Sequence, residues 1–280
     1  MLKEYYCNEL YVRYGEDEEP EERQLDFHVH DQCEIYYFVG GKAHSLVEAS
    51  DYPLRKGSLL IMRPGEAHCI RILKSETYAR YAVNFPISIF DSFDPKRILM
   101  KPYTDRELGR RNHFYLPGLE EIFAKMTDEK ADGYTRAVSI TTGICRLMEI
   151  INKEFDSGKQ IKSASSTVAG EAVAYVNANI LGDISVSSLA DMFYMSGPQF
   201  CKLFKDATGA SPWKYITAKR LLEAGNMIAE GIPAWEAAEK CGFGDYSSFY
   251  RAYVKRFGTA PKKKHGLTGK SIYGINDMLC

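Results

Sequence analysis

One stretch near the start of the last third of the chain limits what the whole can be. From Asp183 to Phe204 the sequence reads DISVSSLADMFYMSGPQFCKLF. Ser185 can cap a helix whose apolar positions Val186, Leu189, Ala190 and Phe193 fall three and four residues apart, so one face is buried. The pattern breaks at Tyr194 and Met195. Ser196 then opens a second helix with Gln199 three residues on, the spacing of a capping box, and Pro198 sits in the first turn, where a missing N–H costs nothing. Two short helices joined by a tight turn form a helix-turn-helix, whose second helix fits a DNA major groove. Short helical hairpins are common, so one copy says little.

A second copy follows about fifty residues later. Ile232–Cys241 reads as a helix, Gly242-Phe243-Gly244 as a turn, and Asp245 as the cap of a helix through Lys255. Gly209-Ala210-Ser211-Pro212 in the first copy is echoed by Gly258-Thr259-Ala260-Pro261 in the second. A repeat of helix, turn, helix and Gly-x-x-Pro at fixed offset is far less probable by chance than either unit. Between the copies, Ser211 and Pro212 open a helix to about Ala229.

The run LADMFYMSGPQFCKLFKDATGASPWKYITAKRLLEA, followed by EAAEKCGFGDYSSFYRAYVKRFGTAP, resembles the DNA-binding domain of AraC/XylS-type transcription regulators over residues 171–263. Ala234, Ala237 and Val254 depart from the family pattern, as does Lys262-Lys263-Lys264 after the last Pro. By resemblance, the positions of Pro198, Cys201 and Lys202 reach bases. Pro and Cys are poor hydrogen-bond partners, so Gln199 and Lys202 are expected to carry most of the discrimination, with Lys205 and Arg220 as further contacts. In the second unit Tyr246, Ser247, Ser248 and Tyr250 are expected toward DNA, and Arg251 and Lys255 at base edges or phosphates.

The first half has a different texture. From Phe27 to about Phe85, short apolar runs (EIYYFVGG, KAHSLVEAS, GSLLIMRPGEAH, CIRILK, YARYAVNF) alternate with turns, as in an antiparallel barrel or jelly roll. Two strand-like pieces, around Tyr5 and at Leu10–Tyr14, precede it, and the acidic run from Glu16 to Glu22 reads as an exposed loop. His28, His30, Glu34 and Tyr36 share one face of an extended chain, and Pro64-Gly65 precedes His68 on a later strand. This resembles the two motifs of the cupin family, whose metal ligands map to His28, His30, Glu34 and His68, although the second motif is incomplete. Three readings stay open: a metal-free pocket in which His28, His30, Glu34, Tyr36 and His68 bind a polar effector; a divalent metal on three imidazoles and a carboxylate; or a self-satisfied polar core.

Beyond the strands, short helices are expected near Ser88–Phe93 and Leu119–Met126. Val138, Ile144, Leu147, Met148 and Ile151 recur at helical spacing. That helix either packs on the barrel or, as the family resemblance implies, joins two copies in a homodimer. Residues 156–168 read as a linker.

The expected architecture is α+β. It comprises a cupin-like β-barrel with following helices for effector binding and dimerisation (1–155), the linker, an all-α domain with two helix-turn-helix units (169–265), and a tail (266–280) without a functional reading. At 280 residues and 45% hydrophobic the chain can bury two cores. No apolar run is long enough to span a bilayer, and Met1-Leu2-Lys3-Glu4 does not begin a signal peptide. Seven scattered Cys without a CxxC pair suit reduced thiols in a cytoplasm. Net charge is −1, but from Gly170 onward 13 Lys/Arg stand against 10 Asp/Glu, the sign that suits phosphates.

These features point to a cytoplasmic, effector-responsive, DNA-binding transcription regulator, sensing a small polar metabolite such as a sugar and requiring no cofactor unless a divalent metal fills the pocket. The rival is a metal-dependent cupin enzyme fused to a DNA-binding module. A redox sensor through Cys201 or Cys241 is a weaker third, since neither has a partner Cys nearby in sequence.

Overall fold

Strands that are largely buried on both faces build the N-terminal half. The structure, a computed structural model, describes residues 1–25, 27–161, 163 and 167–262; the tail, His265, Lys263, Lys264 and part of the expected linker lie outside these. Ten strands precede or interleave with the first helices: β1 (Leu2–Cys7), β2 (Leu10–Glu18), β3 (Arg23–Gln24), β4 (Cys33–Gly40), β5 (Ala43–Val47), β6 (Ser50–Leu54), β7 (Ser58–Met62), β8 (His68–Ile72), β9 (Thr77–Phe85) and β10 (His113–Tyr115). All pairings are antiparallel. They form a six-stranded sheet, β1-β2-β9-β4-β7-β10, facing a four-stranded one, β3-β8-β5-β6.

The central strand β4 is buried on both faces, so its sequence CEIYYFVG is nearly continuous in apolar residues. Tyr36 and Phe38 point between the sheets and pack with Leu60, Met62, Ile70, Ile72, Tyr52 and Tyr78. Cys33, Ile35 and Tyr37 point outward, under helices α1 (Lys101–Thr104), α2 (Glu120–Met126) and α3 (Gly133–Asp156). Tyr37, Phe123 and Tyr81 stack there in one row.

Three expectations change. Residues 88–93 form a string of turns rather than a helix. The acidic run does not begin as a loop: β2 continues through Glu18, with Glu16 and Glu18 paired to Ala79 and Thr77 of β9. The third concerns dimerisation. Ile144, Leu147 and Ile151 are fully buried against the protein's own sheet and α2, so they cannot form a seam with a second copy; of the proposed seam only Val138, 44% exposed, is open. The helix is needed at home, because the outer face of the six-stranded sheet would otherwise be bare.

The C-terminal half is helical: α4 (Thr167–Ala178), α5 (Val186–Met192), α6 (Gly197–Thr208), α7 (Pro212–Ala229), α8 (Ala234–Lys240) and α9 (Tyr246–Phe257). The duplicated Gly-x-x-Pro acquires a physical meaning. Gly209 and Gly258 end α6 and α9 in the left-handed region, at φ 81° and 70°, which ordinary residues reach only with strain. The two halves are not separate bodies. Phe27, Val29, Leu46, Ala49, Ala67 and Cys69 from the β half share one apolar core with Ala169, Val173, Leu189, Phe200, Phe204 and Tyr215.

One fully buried ion pair braces the β half. Both Glu66 oxygens take Arg106, at 2.5 and 2.6 Å, and the same carboxylate accepts from the backbone N–H of Arg63 and Gly109 and from Asn112 Nδ2. Removing one partner of such a pair strands a charge in the interior. Arg106→Met should therefore lower stability by about 3–5 kcal/mol, read as a fall in the denaturation midpoint.

Candidate effector site and nucleic-acid face

The four residues of the cupin-like pattern do meet. His28 and His68 form a reciprocal backbone bridge, with both N···O distances 3.0 Å, which sets their side chains next to each other. Their rings lie 4.1 Å apart between centroids, and His30 completes the cluster at 5.1 Å from His68. One ligand atom from each of His28, His30, Glu34 and His68 lies within 4.8 Å of every other. His30, Glu34 and His68 are buried, and His28 is partly exposed, so the cluster has one side toward solvent.

The carboxylate organises the group. Glu34 Oε2 faces His30 Nε2 at 3.0 Å and His68 Nε2 at 3.3 Å, and accepts from Asn84 Nδ2 at 3.2 Å. Each imidazole is oriented from behind: His30 Nδ1 donates to the Gln32 carbonyl at 2.9 Å, and His68 Nδ1 to that of Glu66 at 2.8 Å. Burial alone would raise the Glu34 carboxyl, but the two imidazoles hold it well below the usual carboxylate range. Burial likewise works against a charged His68, yet Glu34 prevails and the imidazole is raised. With Nδ1 tied to carbonyls, both Nε2 atoms point at a common centre, the arrangement in which metal-binding histidines are held. Three nitrogens and one carboxylate converging from rigid backbone suit a divalent transition ion.

Tyr36 does not join them. It lies two residues along on the same inward face, but its hydroxyl bonds Tyr78 at 2.8 Å in the apolar layer above. Asn84 is the member that sequence reading missed. Its position opposite Glu34 in the β4–β9 pairing could have indicated it, had the register been known.

The second site is the helical repeat. In α6, Pro198, Gln199, Lys202 and Lys205 are exposed and Cys201 half-buried, while Phe200 and Phe204 are fully buried. Gln199 has a second duty: its Oε1 accepts from the backbone N–H and hydroxyl of Ser196, leaving only its amide N–H groups for a base. In α9, Tyr246, Ser247, Ser248, Tyr250, Arg251 and Lys255 are all exposed, and Phe249 and Tyr253 pack inward. Asp245 caps this helix through Ser248 N–H at 2.7 Å. Cys201 and Cys241 lie on different units, and Cys241 is buried, with its thiol raised to about 11 by burial, the reverse of a reactive thiolate.

Arg220 is not at the DNA face. Its guanidinium is turned inward onto the carbonyls of Ile180, Gly182 and Gly242. It ties the end of α4 to the turn of the second unit, so it is a strut between the repeats. Gly242 makes room for it: a Cβ there would lie 2.9 Å from the guanidinium, at a φ of 72°.

A family model described as an AraC-like ligand binding domain matches residues 10–140, and one described as a helix-turn-helix domain matches 189–264. The chain belongs to the AraC-type regulator family. It is 28% identical over 165 residues to the probable transcriptional regulator LumQ of Photobacterium leiognathi, covering 57% of this chain and 65% of LumQ. It is 38% identical over 78 residues to the RCS-specific HTH-type transcriptional activator RclR of Escherichia coli, covering 28% of each chain. The chain thus spans less than two thirds of these two relatives. With the HTH-type transcriptional activator RhaS of Escherichia coli it is 19% identical over 250 residues, 87% of this chain and 89% of RhaS.

If Arg220 is a strut within this AraC-type fold, Arg220→Ala should cost about 2–3 kcal/mol in the thermal melt through loss of charged hydrogen bonds to three carbonyls. DNA affinity should fall alike on every sequence. A changed base preference at unchanged stability would mark it as a reading residue instead.

Proposed function

We propose that this AraC-type protein is a sequence-specific, DNA-binding transcription regulator that takes its signal at the His28–His30–Glu34–His68 cluster. The observation that carries the DNA-binding part is the duplicated unit, with polar, exposed faces on α6 and α9 above an apolar core. Two recognition helices of this kind fit successive major-groove segments. Lys202 lies on the exposed side of α6 with a free-reaching ammonium, and Lys255 lies near the end of α9, where a cation suits a phosphate. The relatives named above are transcriptional regulators or activators, which supports the same reading. Among the described residues no helix is long and apolar enough to cross a membrane, which agrees with a cytoplasmic site of action.

For the signal, the geometry favours a divalent ion over a sugar at the same place. The donor atoms already converge, and the space above them is filled by Tyr36, Phe38 and Tyr78. His28, His30, Glu34 and His68 would hold the ion, and Asn84 would orient the carboxylate. Such an ion would act as a structural cross-link between the His28–His30 segment, β4 and β8. Pairing of two copies through α3 would have to use its first turns, where Tyr134 and Val138 are exposed.

Two measurements test these assignments. In a gel-shift titration on an operator selected from random DNA, Lys202→Ala should lose about 1–3 kcal/mol on the selected site if the ammonium reads guanine, whereas Lys255→Ala should weaken all sequences alike and shallow the salt dependence by about one unit of slope. In a Co²⁺ titration followed by visible absorption, wild type should show bands of a low-symmetry site. Asn84→Ala should bind the ion about 10–100-fold more weakly, and Glu34→Gln should lose it. Absence of bands in wild type, with no metal in the purified protein, would return the pocket to an organic effector.

A further inference from the structure

Tyr194 stands where the helical half elsewhere puts glycine. Helices α6, α7, α8 and α9 each run into a glycine of positive φ: Gly209, Gly231, Gly242 and Gly258. Helix α5 runs into Tyr194, at a φ of 55°. The two repeat units close their first helices with the same hydrogen bonds. In the first, Met195 N–H reaches the Ala190 carbonyl at 2.9 Å and Tyr194 N–H that of Asp191 at 3.1 Å. In the second, Phe243 N–H reaches the Ala238 carbonyl at 3.1 Å and Gly242 N–H that of Glu239 at 2.9 Å. This paired closure holds the residue after the cap in the left-handed region, where glycine fits and a bulky side chain is strained.

A strained residue persists where something offsets the strain. Packing does not do so here. Tyr194 is 98% exposed, so its ring leans neither on its own unit nor on the β half. Trp213 and Trp235 are also exposed, but they sit in ordinary helical backbone, and an isolated apolar side chain on a surface needs no explanation. Exposure and strain coincide only at Tyr194 among these three.

What offsets the strain therefore lies outside the chain, and the position says where. Two residues on, Ser196 caps α6. Tyr194 lines the same cleft as Gln199 and Lys202, which puts it on the side of α6 that carries reading residues. When a recognition helix enters the major groove, its first turns meet base edges, and phosphates wall the groove on either side. A residue two positions ahead of the cap then lies at the wall rather than the floor. Tyrosine suits that place: its hydroxyl donates to phosphate oxygens, and its side chain has few rotamers to freeze. The second unit has no counterpart. Gly242 occupies the matching position, and a Cβ there would lie 2.9 Å from the Arg220 guanidinium.

We propose that Tyr194 is a positioning residue of the DNA complex: its hydroxyl donates to a phosphate oxygen beside the groove that α6 enters, and so sets the register in which Gln199 and Lys202 meet the bases. The inference rests on the DNA-binding reading above. It makes the phosphate grip of the two units unequal, with the first unit held at its turn and the second not.

The test uses the full chain and a labelled duplex carrying an operator selected from random DNA, followed by anisotropy, with thermal melts of the same samples. Tyr194→Gly relieves the backbone, so its melting point should rise by about 2 °C, while its affinity for the operator falls by about 3–10-fold, the range of one neutral hydrogen bond. Tyr194→Phe keeps the ring and the strain. It should melt with wild type and lose about as much affinity as Tyr194→Gly. The hydroxyl is uncharged and releases no counterion, so the salt dependence should keep its slope in both variants. A residue that served only the fold would lose stability and affinity together; a Tyr194→Gly protein that melts below wild type and binds more weakly overturns the proposal. So does a Tyr194→Phe protein that binds as tightly as wild type. If wild type itself binds no duplex DNA, the DNA-binding reading fails, and the role of Tyr194 falls with it.

Discussion

Glu66 carries a full charge into a place with no water, and much of the β half is arranged around that fact. Its side chain and that of Arg106 are both 0% exposed. Taking two charges out of water is recovered only when every remaining lone pair is used, and here Arg63, Gly109 and Asn112 supply the extra donors. The consequence is positional. The turn from Pro64 to Ala67 becomes a fixed object, held from inside by five donor contacts. His68 follows at once, with its Nδ1 on the Glu66 carbonyl. Gly65 in the same turn gives its N–H to the His30 carbonyl and takes Lys219 on its own carbonyl. One rigid turn thus serves the imidazole cluster on its inner side and the helical half on its outer side.

That double use makes the cluster and the DNA-binding half neighbours in a mechanical sense. The segment His28–His30 is gripped from outside as well, since Arg256 of α9 donates to the Val29 carbonyl. Both stretches of chain that supply histidines are therefore touched by basic side chains from the helical half. Coupling between sites needs contiguous elements with two arrangements, and the shortest route here runs through two peptide units rather than across the barrel. A ligand that changes the spacing of His28, His30 and His68 acts on the backbone to which Arg256 and Lys219 are bound.

The sequence was most informative where a local rule has a single outcome. The caps Ser185, Asp245 and Ser211, the C-terminal glycines and the Pro at the start of α6 and α7 name the helices of the repeat almost residue by residue, because capping is decided within one turn. The even spacing of His28, His30, Glu34 and Tyr36 suggested one face of one strand. Instead, bends at Asp31 and Gln32 separate the His28–His30 segment, bridged to β8, from Glu34 and Tyr36 on β4, and the cluster forms between the two sheets. Nor could the spacing say that Tyr36 would turn to Tyr78, since that depends on a strand far away in sequence. Arg220 was misread for the same reason: a basic residue near a recognition helix has the same signature whether it meets phosphates or three carbonyls. The α3 stripe was ambiguous in principle, as an apolar helix face looks alike over its own sheet or over a second copy. Glu48, in the turn between β5 and β6, gave no signal at all. A lone Glu at a hairpin reads as a solvated turn, and only the docking of α7 and α4 onto that hairpin makes it a buried hub.

The chemistry of that hub suits a reversible joint. An interface made only of apolar side chains gains roughly 25 cal/mol for every Å² removed from water, and it opens only by giving all of that back. A buried ion pair behaves otherwise: its attraction is largely cancelled by the desolvation of its members, so it adds little net stability while penalising any misaligned docking. Here the apolar part of the joint mixes the small residues Ala49, Ala67, Ala169 and Ala172 with larger ones such as Val29, Leu46, Val173 and Phe204, and Phe27 and Tyr215 pair their rings across it. The alanines let the two halves approach closely but contribute little area each. Specific geometry then comes from Glu48, which takes Lys219, Tyr215 and Asn177, and whose bonds can be exchanged for water at modest cost once the hairpin moves. A domain contact with high geometric specificity and a small net free energy is one that a modest change at a neighbouring site can shift.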